Sequence, residues 1–561
     1  MQTQLLGMLY RLLEVSANAA PTVLVGFLLA GIIKRLVGYE LTRDLFGGRS
    51  LRSIPQAWLI GMLLPVCSLG ALPVIRQLHK AGVPGGAILA FAISAPLFNP
   101  ISLLYGLSVG DPLVILTFAS LSLLIVTIVG VLVEKVLPFP ESEAEQVPAV
   151  SYGIRRMLAV AVTASREARS PVLWYIGLGL VGSAVLSLFL PFGYLQDKAE
   201  RSDVWAPLFM AVVSLPMYET PMTMIIKLGD MFQHGNSVGA AFSLMILGAG
   251  INAGVYLWLW LHYGKLRTFA CVGVLFGIVV GLSYLVDAPL TQKGIESQGH
   301  THAFDVYCCP FPSYDTVGLS TVLQRFGNDL NLNLYKAVSL VGLAILIGLG
   351  LLFSHARFPG LESWLEQKVD RTGTWDVELS PKVLGGVSLA GLVGMSVFGS
   401  YLYYPSMNEV FESLKDSQTP LAAAGVTKDW DAVEYWLPIV DDWSRRVQVS
   451  AYLRRIPQTE EHAQKAHAYR EILDLLRHAA EDRDAEESRR YSLALQRAYT
   501  EYKAAYFPGT ARSAREDLPE EDLPEEMDPE QVDSKQMDPE ELDPAELEGQ
   551  PIAVEHGEVD F

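Results

Sequence analysis

A glutamate flanked by prolines inside an apolar stretch, Leu215-Pro216-Met217-Tyr218-Glu219-Thr220-Pro221, is the first place where this chain could do chemistry. A carboxylate at membrane depth is costly unless it is paired, protonated or facing water, so intramembrane ionisable groups mark pathways by default. Glu219 is therefore a candidate proton carrier that could couple transport to a gradient. Lys227, two helical turns on, is the residue that could instead neutralise it. A shift of 153 residues lays Val66 on Glu219, Cys67 on Thr220, Gly82 on Gly235, Gly86 on Gly239, Ala87 on Ala240 and Asn99 on Asn252. Cys67 and Thr220 thus occupy equivalent helix breaks, and Asn99 and Asn252 supply an amide donor and acceptor at two more. Such groups suit either the capping of freed backbone or contact with a substrate. Cys67 also reads as a small buried packing residue.

A second constellation follows at Gly299-His300-Thr301-His302-Ala303-Phe304-Asp305-Val306-Tyr307-Cys308-Cys309. His300, His302, Asp305, Cys308 and Cys309 together could supply a tetrahedral soft-metal site, serving for capture, sensing or structure. Vicinal cysteines rarely ligate one ion together, and outside the cytoplasm they oxidise. Asp230 and His234 read as loop residues or as a cytoplasmic gate.

The elements that position these residues are apolar and repeated. Residues 63–102 and 214–255 read as two copies of one motif interrupted by proline, glycine and asparagine. Paired broken segments point to a transporter's binding site, because non-helical backbone at membrane depth must line a cavity or lie buried in protein. The competing reading is glycine-rich helix packing. After an amphipathic opening over 1–14, candidate spans lie near 19–37, 56–79, 85–107, 112–134, 171–191, 206–228, 236–262, 266–286, 335–353 and 383–402. Basic residues crowd the loops after the first span (Lys34, Arg35, Arg43, Arg49, Arg52) and after the fourth (Lys135, Arg155, Arg156, Arg166, Arg169), which places both in the cytoplasm. An even number of crossings must then separate these loops, so one of the three intervening segments fails to cross. The reading makes 85–107, broken at Pro96 and Pro100, a re-entrant hairpin open to the outside, and 236–262 its counterpart open to the cytoplasm. Units 19–134 and 171–286 then form an inverted repeat.

The chain is 50% hydrophobic and 18% charged, with mean hydropathy +0.28 over 561 residues. The tail from Glu516 to Phe561 holds 19 acidic residues against Lys535 alone, a charge of −18, so the first 515 residues carry −1 of the total −19. This balance excludes nucleic acid as a partner. Four cysteines are too few for a disulfide framework, and no removable signal peptide precedes the first apolar run. No nucleotide-binding loop or HExxH motif appears, so no enzyme and no cofactor are expected.

The stretch Pro65-Val66-Cys67-Ser68-Leu69-Gly70, followed by Pro73, Gly82, Ala90-Phe91 and Ala95-Pro96-Leu97-Phe98-Asn99-Pro100, resembles the predicted-permease family that includes organoarsenical efflux permeases. The resemblance covers about 20–286. It implies a polytopic permease of the cell (inner) membrane, with trivalent arsenicals as one known substrate class. The family's second cysteine is Leu69 here, so the adjacent thiol pair that a soft metalloid takes as ligands is missing.

The expected architecture is an all-α polytopic membrane protein in five parts. These are an inverted-repeat permease core over 1–286, an extramembrane loop over 287–334, two accessory transmembrane helices over 335–404, a soluble helical domain over 405–509 and an acidic disordered tail over 510–561. Its partners are the lipid bilayer, a small solute or ion, and a protein for the C-terminal domain. The expected function is alternating-access transport of a small solute or ion, with metals and metalloids among the candidates. A membrane-anchored envelope scaffold is the alternative, and truncation after 405 separates the two.

Overall fold

The structure, a computed structural model, describes residues 2–48, 50–109, 111–140, 144–145, 154–291, 297, 299–311, 317–353, 358, 360–366 and 381–507. The acidic tail and the loop that contains Lys368 and Arg371 lie outside these residues. The chain up to Tyr499 forms one compact unit, and the last turns of the final helix belong to a second.

Every described element is a helix or a turn. The amphipathic opening and first span are one helix, α1 (Gln2–Ile32), which winds wider over Ile33–Val37 and is followed by α2 (Tyr39–Leu45). Next come α3 (Ser53–Leu63), α4 (Ser68–Lys80), α5 (Gly85–Ser94), α6 (Pro100–Val109) and the unbroken α7 (Pro112–Lys135). The amphipathic α8 (Ile154–Glu167) leads to the second half: α9 (Val172–Phe189), α10 (Ala206–Ser214), α11 (Pro221–Gln233), α12 (Val238–Ser243, wider over Leu244–Ala249), α13 (Ala253–Tyr263) and the unbroken α14 (Lys265–Leu290). A single 3-10 turn at His302–Tyr307 precedes α15 (Leu319–Leu332), α16 (Leu334–Leu352), α17 (Leu361–Glu366) and α18 (Pro381–Tyr403). The extension is α19 (Met407–Thr427), α20 (Trp430–Leu453), α21 (Glu460–Glu481) and α22 (Ala485–Tyr506). Among the described residues, five helices are long and apolar enough to cross a membrane, and α12–α13, bent by 56°, would make a sixth.

Proline explains three of the four breaks, all but the one at Asn252. A residue before proline is pushed out of the helical region, and proline then suits the first position of a new helix, where its missing N–H costs nothing. Leu64 is accordingly extended before Pro65, and Thr220 before Pro221. Asn99 likewise precedes Pro100, which starts α6.

The three-helix packing of the first half recurs in the second: α3 on α5, α5 on α7 and α3 on α7 are matched by α10 on α12, α12 on α14 and α10 on α14. The match holds at single residues. Glu134 accepts the backbone N–H of Gly86 at 2.8 Å, and Asp287, 153 residues on, accepts that of Gly239 at 2.8 Å. These glycines permit close approach, since a Cβ would lie 2.7 Å from the Gly130 oxygen in one case and 2.5 Å from the Ser283 oxygen in the other.

The same contacts show which segments run the length of the long helices and which turn back. Helix α14 has 26 residues, about 39 Å end to end. The pair α12–α13 starts against Asp287 at one end of α14 and finishes two residues before Lys265 at the other, so it runs the full length. By contrast, α10–α11 begins where Tyr284 donates to the Val204 oxygen (2.9 Å) and ends where Ser237 donates to Asp287 (2.9 Å), so this segment doubles back. In the first half α5–α6 runs the length of α7 from Glu134 towards Pro112, whereas α3–α4 starts beside Gly130 and returns to the Glu134 end. The expected hairpins at 85–107 and 236–262 are therefore displaced: 53–80 and 206–233 fold back instead. Proline content does not separate the two kinds of segment, since 53–80 also holds Pro55, Pro65 and Pro73; the legs that turn back are the charged ones. Leg α4 carries Arg76, His79 and Lys80, and α11 carries Lys227 and Asp230.

Candidate functional site

The four candidate polar residues at the breaks share one local role. Each caps the second leg of its broken helix, satisfying amides that would otherwise be orphaned. Cys67 Sγ accepts from the Gly70 N–H (3.3 Å), and Thr220 Oγ1 from the Thr223 N–H (3.2 Å). Asn99 Oδ1 accepts from the Ser102 N–H (2.8 Å), and Asn252 Oδ1 from the N–H groups of Gly254 (2.8 Å) and Val255 (3.2 Å). Cap and partner keep the 153-residue offset in both pairs of breaks.

The breaks also meet. Tyr218 donates to Cys67 Sγ at 3.0 Å, joining the α10–α11 break to the α3–α4 break, and Thr22 of α1 donates to the same sulfur at 2.9 Å. A Cβ on Gly250 would lie 3.4 Å from Leu97, and one on Gly179 would touch both Leu69 and Asn252. Around this centre Asn252 Nδ2, Ser68 Oγ and Ser214 Oγ are buried without a hydrogen-bond partner. Buried polar groups left unmatched are uncommon and costly.

Glu219, only 7% exposed, is fully engaged. Its Oε1 pairs with Lys227 and accepts from Tyr307 Oη at 2.8 Å, and its Oε2 accepts from Thr223. Lys227 lies over the Tyr307 ring, 4.2 Å from its centre. A cleft beside this network is lined by Arg11, Glu14, Asn18, Ser183, Tyr218 and Thr220, among others. Tyr307, which sequence reasoning passed over, ties the 299–311 segment to the hairpin together with Thr301, whose Oγ1 donates to Asp230 Oδ2 at 3.2 Å.

That segment is held on several sides. Arg11 donates to the backbone oxygens of Asp305 (2.6 Å) and Cys308 (3.0 Å), and the Thr301 N–H donates to the Gln196 oxygen (2.9 Å). His300, His302 and Asp305 come together, but Cys308 and Cys309 do not join them. Both cysteines are buried among apolar side chains, and burial pushes the Cys308 thiol up to about 11. The histidines instead meet α21: His300 Nε2 is 3.6 Å from Asp474 Oδ2, and His302 Nε2 is 3.2 Å from His478 Nε2. Burial holds His478 below the usual histidine value. Asp230 and His234 sit in this layer too, not at the far face. His234 Nε2 is 3.3 Å from Asp474, and Asp230 is 3.1 Å from Arg445 of α20. Asp230 and His234 therefore share a face with the 299–311 segment and α21, because the segment 206–233 returns to the end it left. Asp474 and His478 stand four residues apart on one helix face, a spacing visible in the sequence, but nothing there signals their contact with residue 300.

A multi-pass α-helical membrane protein with interrupted helices gathered around a buried polar centre is the class that this geometry defines. Residues 5–288 match the predicted permease family, just over half of the chain, and the protein belongs to that family. The UPF0718 protein YcgR of Bacillus subtilis is 34% identical over 91 residues, 16% of this chain and 31% of the relative. A Streptococcus mutans protein named "Putative two-component membrane permease complex subunit" is 25% identical over 91 residues, 16% of this chain and 30% of the relative. The chain thus spans about a third of the length of these relatives. No solved structure matches.

Proposed function

We propose that this permease moves a small solute or ion across the cell membrane by alternating access between two inverted halves. The observation that carries the reading is the meeting of four helix breaks, each capped on its second leg and paired across the halves at one offset. Interrupted helices at a repeat interface form midplane sites in transporters. Inversion is supported by the stacking of Phe139, just beyond the end of α7, on Tyr263, just before the start of α14, at 4.0 Å. The fold-back segments then open to opposite faces. Cys67, Asn99, Thr220 and Asn252 line the site in this reading, and the unmatched Asn252 Nδ2 is the group that faces the solute.

Glu219 is the candidate coupling group. A proton arriving there would release Lys227 and Tyr307 together, freeing the hairpin from the segment that clamps it. The solute class extends to metal, metalloid and organometalloid species, although Leu69 removes the paired-thiol route. The name of the S. mutans relative favours a partner chain as well, with the extension as its contact surface.

The test is flux of a panel of metal and metalloid species in vesicles under an imposed pH gradient, comparing the intact protein with Glu219→Gln. Gradient-driven flux lost in a variant that melts as a folded protein is the expected result. A folded protein that moves none of the panel would return the weight to a scaffold.

A further inference from the structure

We infer that His300, His302, Asp474 and His478 form a binding site for a zinc-class divalent cation, joining the 299–311 segment to α21. One ligand atom from each of these residues lies within 4.8 Å of the others. A tetrahedral zinc, with ligands about 2.0–2.2 Å away, keeps its ligand atoms roughly 3.3–3.6 Å apart. The separations here bracket that edge: His302 Nε2 to His478 Nε2 is 3.2 Å, His300 Nε2 to Asp474 Oδ2 is 3.6 Å, and His302 Nε2 to Asp474 Oδ1 is 3.8 Å. The longest edges, which lie within 4.8 Å, would contract by up to about 1.2 Å around a cation. Three imidazoles and one carboxylate are also the donor set that zinc, nickel and copper favour over calcium or magnesium.

The second layer is that of a metal histidine. A ligating imidazole typically gives its other N–H to a carboxylate, which fixes the tautomer and leaves the lone pair for the metal. His302 Nδ1 lies 2.8 Å from Asp305 Oδ2, and Gln196 Nε2 donates to Asp305 Oδ1 at 3.0 Å, holding that carboxylate in place. The Nδ1–H tautomer is the one that this carboxylate, which only accepts, would favour, and Gln196 Nε2 lies 3.1 Å from the same Nδ1. In that tautomer His302 Nε2, 3.2 Å from His478 Nε2, offers its lone pair to a metal. Asp474 is positioned independently by His234 Nε2 (3.3 Å) and by Arg477 (3.7 Å). His302 is buried, whereas the His478 side chain is 37% exposed, so the site has a rigid floor and an open approach. Because His234 follows the last residue of α11, a cation bound here would fasten the extension to the fold-back hairpin.

The test uses the full chain, stripped with chelator in detergent, titrated with Zn2+ against a chromophoric competitor and then with Co2+ for its spectrum. One tight equivalent per chain and the intense visible bands of four-coordinate cobalt are expected in the wild type and in Cys308→Ser/Cys309→Ser. His302→Gln/His478→Gln should lose both, and Asp305→Asn should weaken zinc about 10- to 100-fold, the usual effect of removing such a partner. Cobalt gathered by the acidic tail would be six-coordinate and weakly coloured in every variant. The inference falls if the wild type takes up no tight equivalent, if the double histidine variant keeps the four-coordinate spectrum, or if the cysteine variant loses it. Should the double variant fail to fold, His478→Gln alone, at the half-exposed ligand, carries the same expectation. The readout is binding and does not depend on transport.

Discussion

Asn252 shows how one side chain can hold two roles, and how they can be separated. Its oxygen caps α13, while its Nδ2 is buried and unmatched. Serine is also a good cap but lacks the amide, so Asn252→Ser should leave thermal stability in detergent unchanged while lowering flux. A matching fall in stability would assign the residue to structure alone. Thr220→Ala removes a cap outright and should cost about 1 kcal/mol, read as a lower melting temperature. Cys67→Ser, which keeps an acceptor at the same break, should cost less than Thr220→Ala. Such equivalences were half legible in the sequence. The offset of 153 residues placed Asn99 on Asn252, and it also lays Glu134 on Asp287, a pair the reading passed over because both sit outside the conspicuous motif.

At the scale of the element, the hairpin α10–α11 is held by the Glu219–Lys227 pair. Removing one partner of a buried pair strands the other charge and typically costs about 3–5 kcal/mol, whereas replacing both with apolar groups is often neutral. Lys227→Met alone should therefore destabilise the protein strongly, and Glu219→Gln/Lys227→Met should recover most of the loss in the same melting assay. A double variant no more stable than Lys227→Met would mean that the pair is not coupled. The breaks themselves were readable, because Pro65, Pro100 and Pro221 leave a helix little choice. Which legs turn back was not, since that depends on charged faces such as Arg76 to Lys80 finding an aqueous edge, and a hydropathy window averages those residues away.

For the whole molecule, the extension is packed against the core and not merely tethered to it. Arg445 reaches Asp230 at 3.1 Å, Arg470 donates to Gln233 at 2.8 Å, and α20 lies on α6. The helices of 405–507 were evident from composition, but their docking on 230–237 was not, because long-range contact leaves no local pattern. Truncation after 405 is consequently a poor discriminator between permease and scaffold. It should unfold or inactivate the protein by stranding Asp230, whichever reading holds. Deleting 508–561 should leave both melting temperature and flux unchanged.

The matching of Gly86–Glu134 to Gly239–Asp287 bears on ancestry. Two copies of a unit that pack through the same glycine and carboxylate point to gene duplication. On the inversion proposed above, such a unit would once have entered the bilayer both ways round and paired with itself. The present chain would then be a fused dimer, with its seam between α7 and α8. Nicked in that linker, between Pro140 and Ile154, the two pieces made as separate polypeptides should still find each other and co-purify.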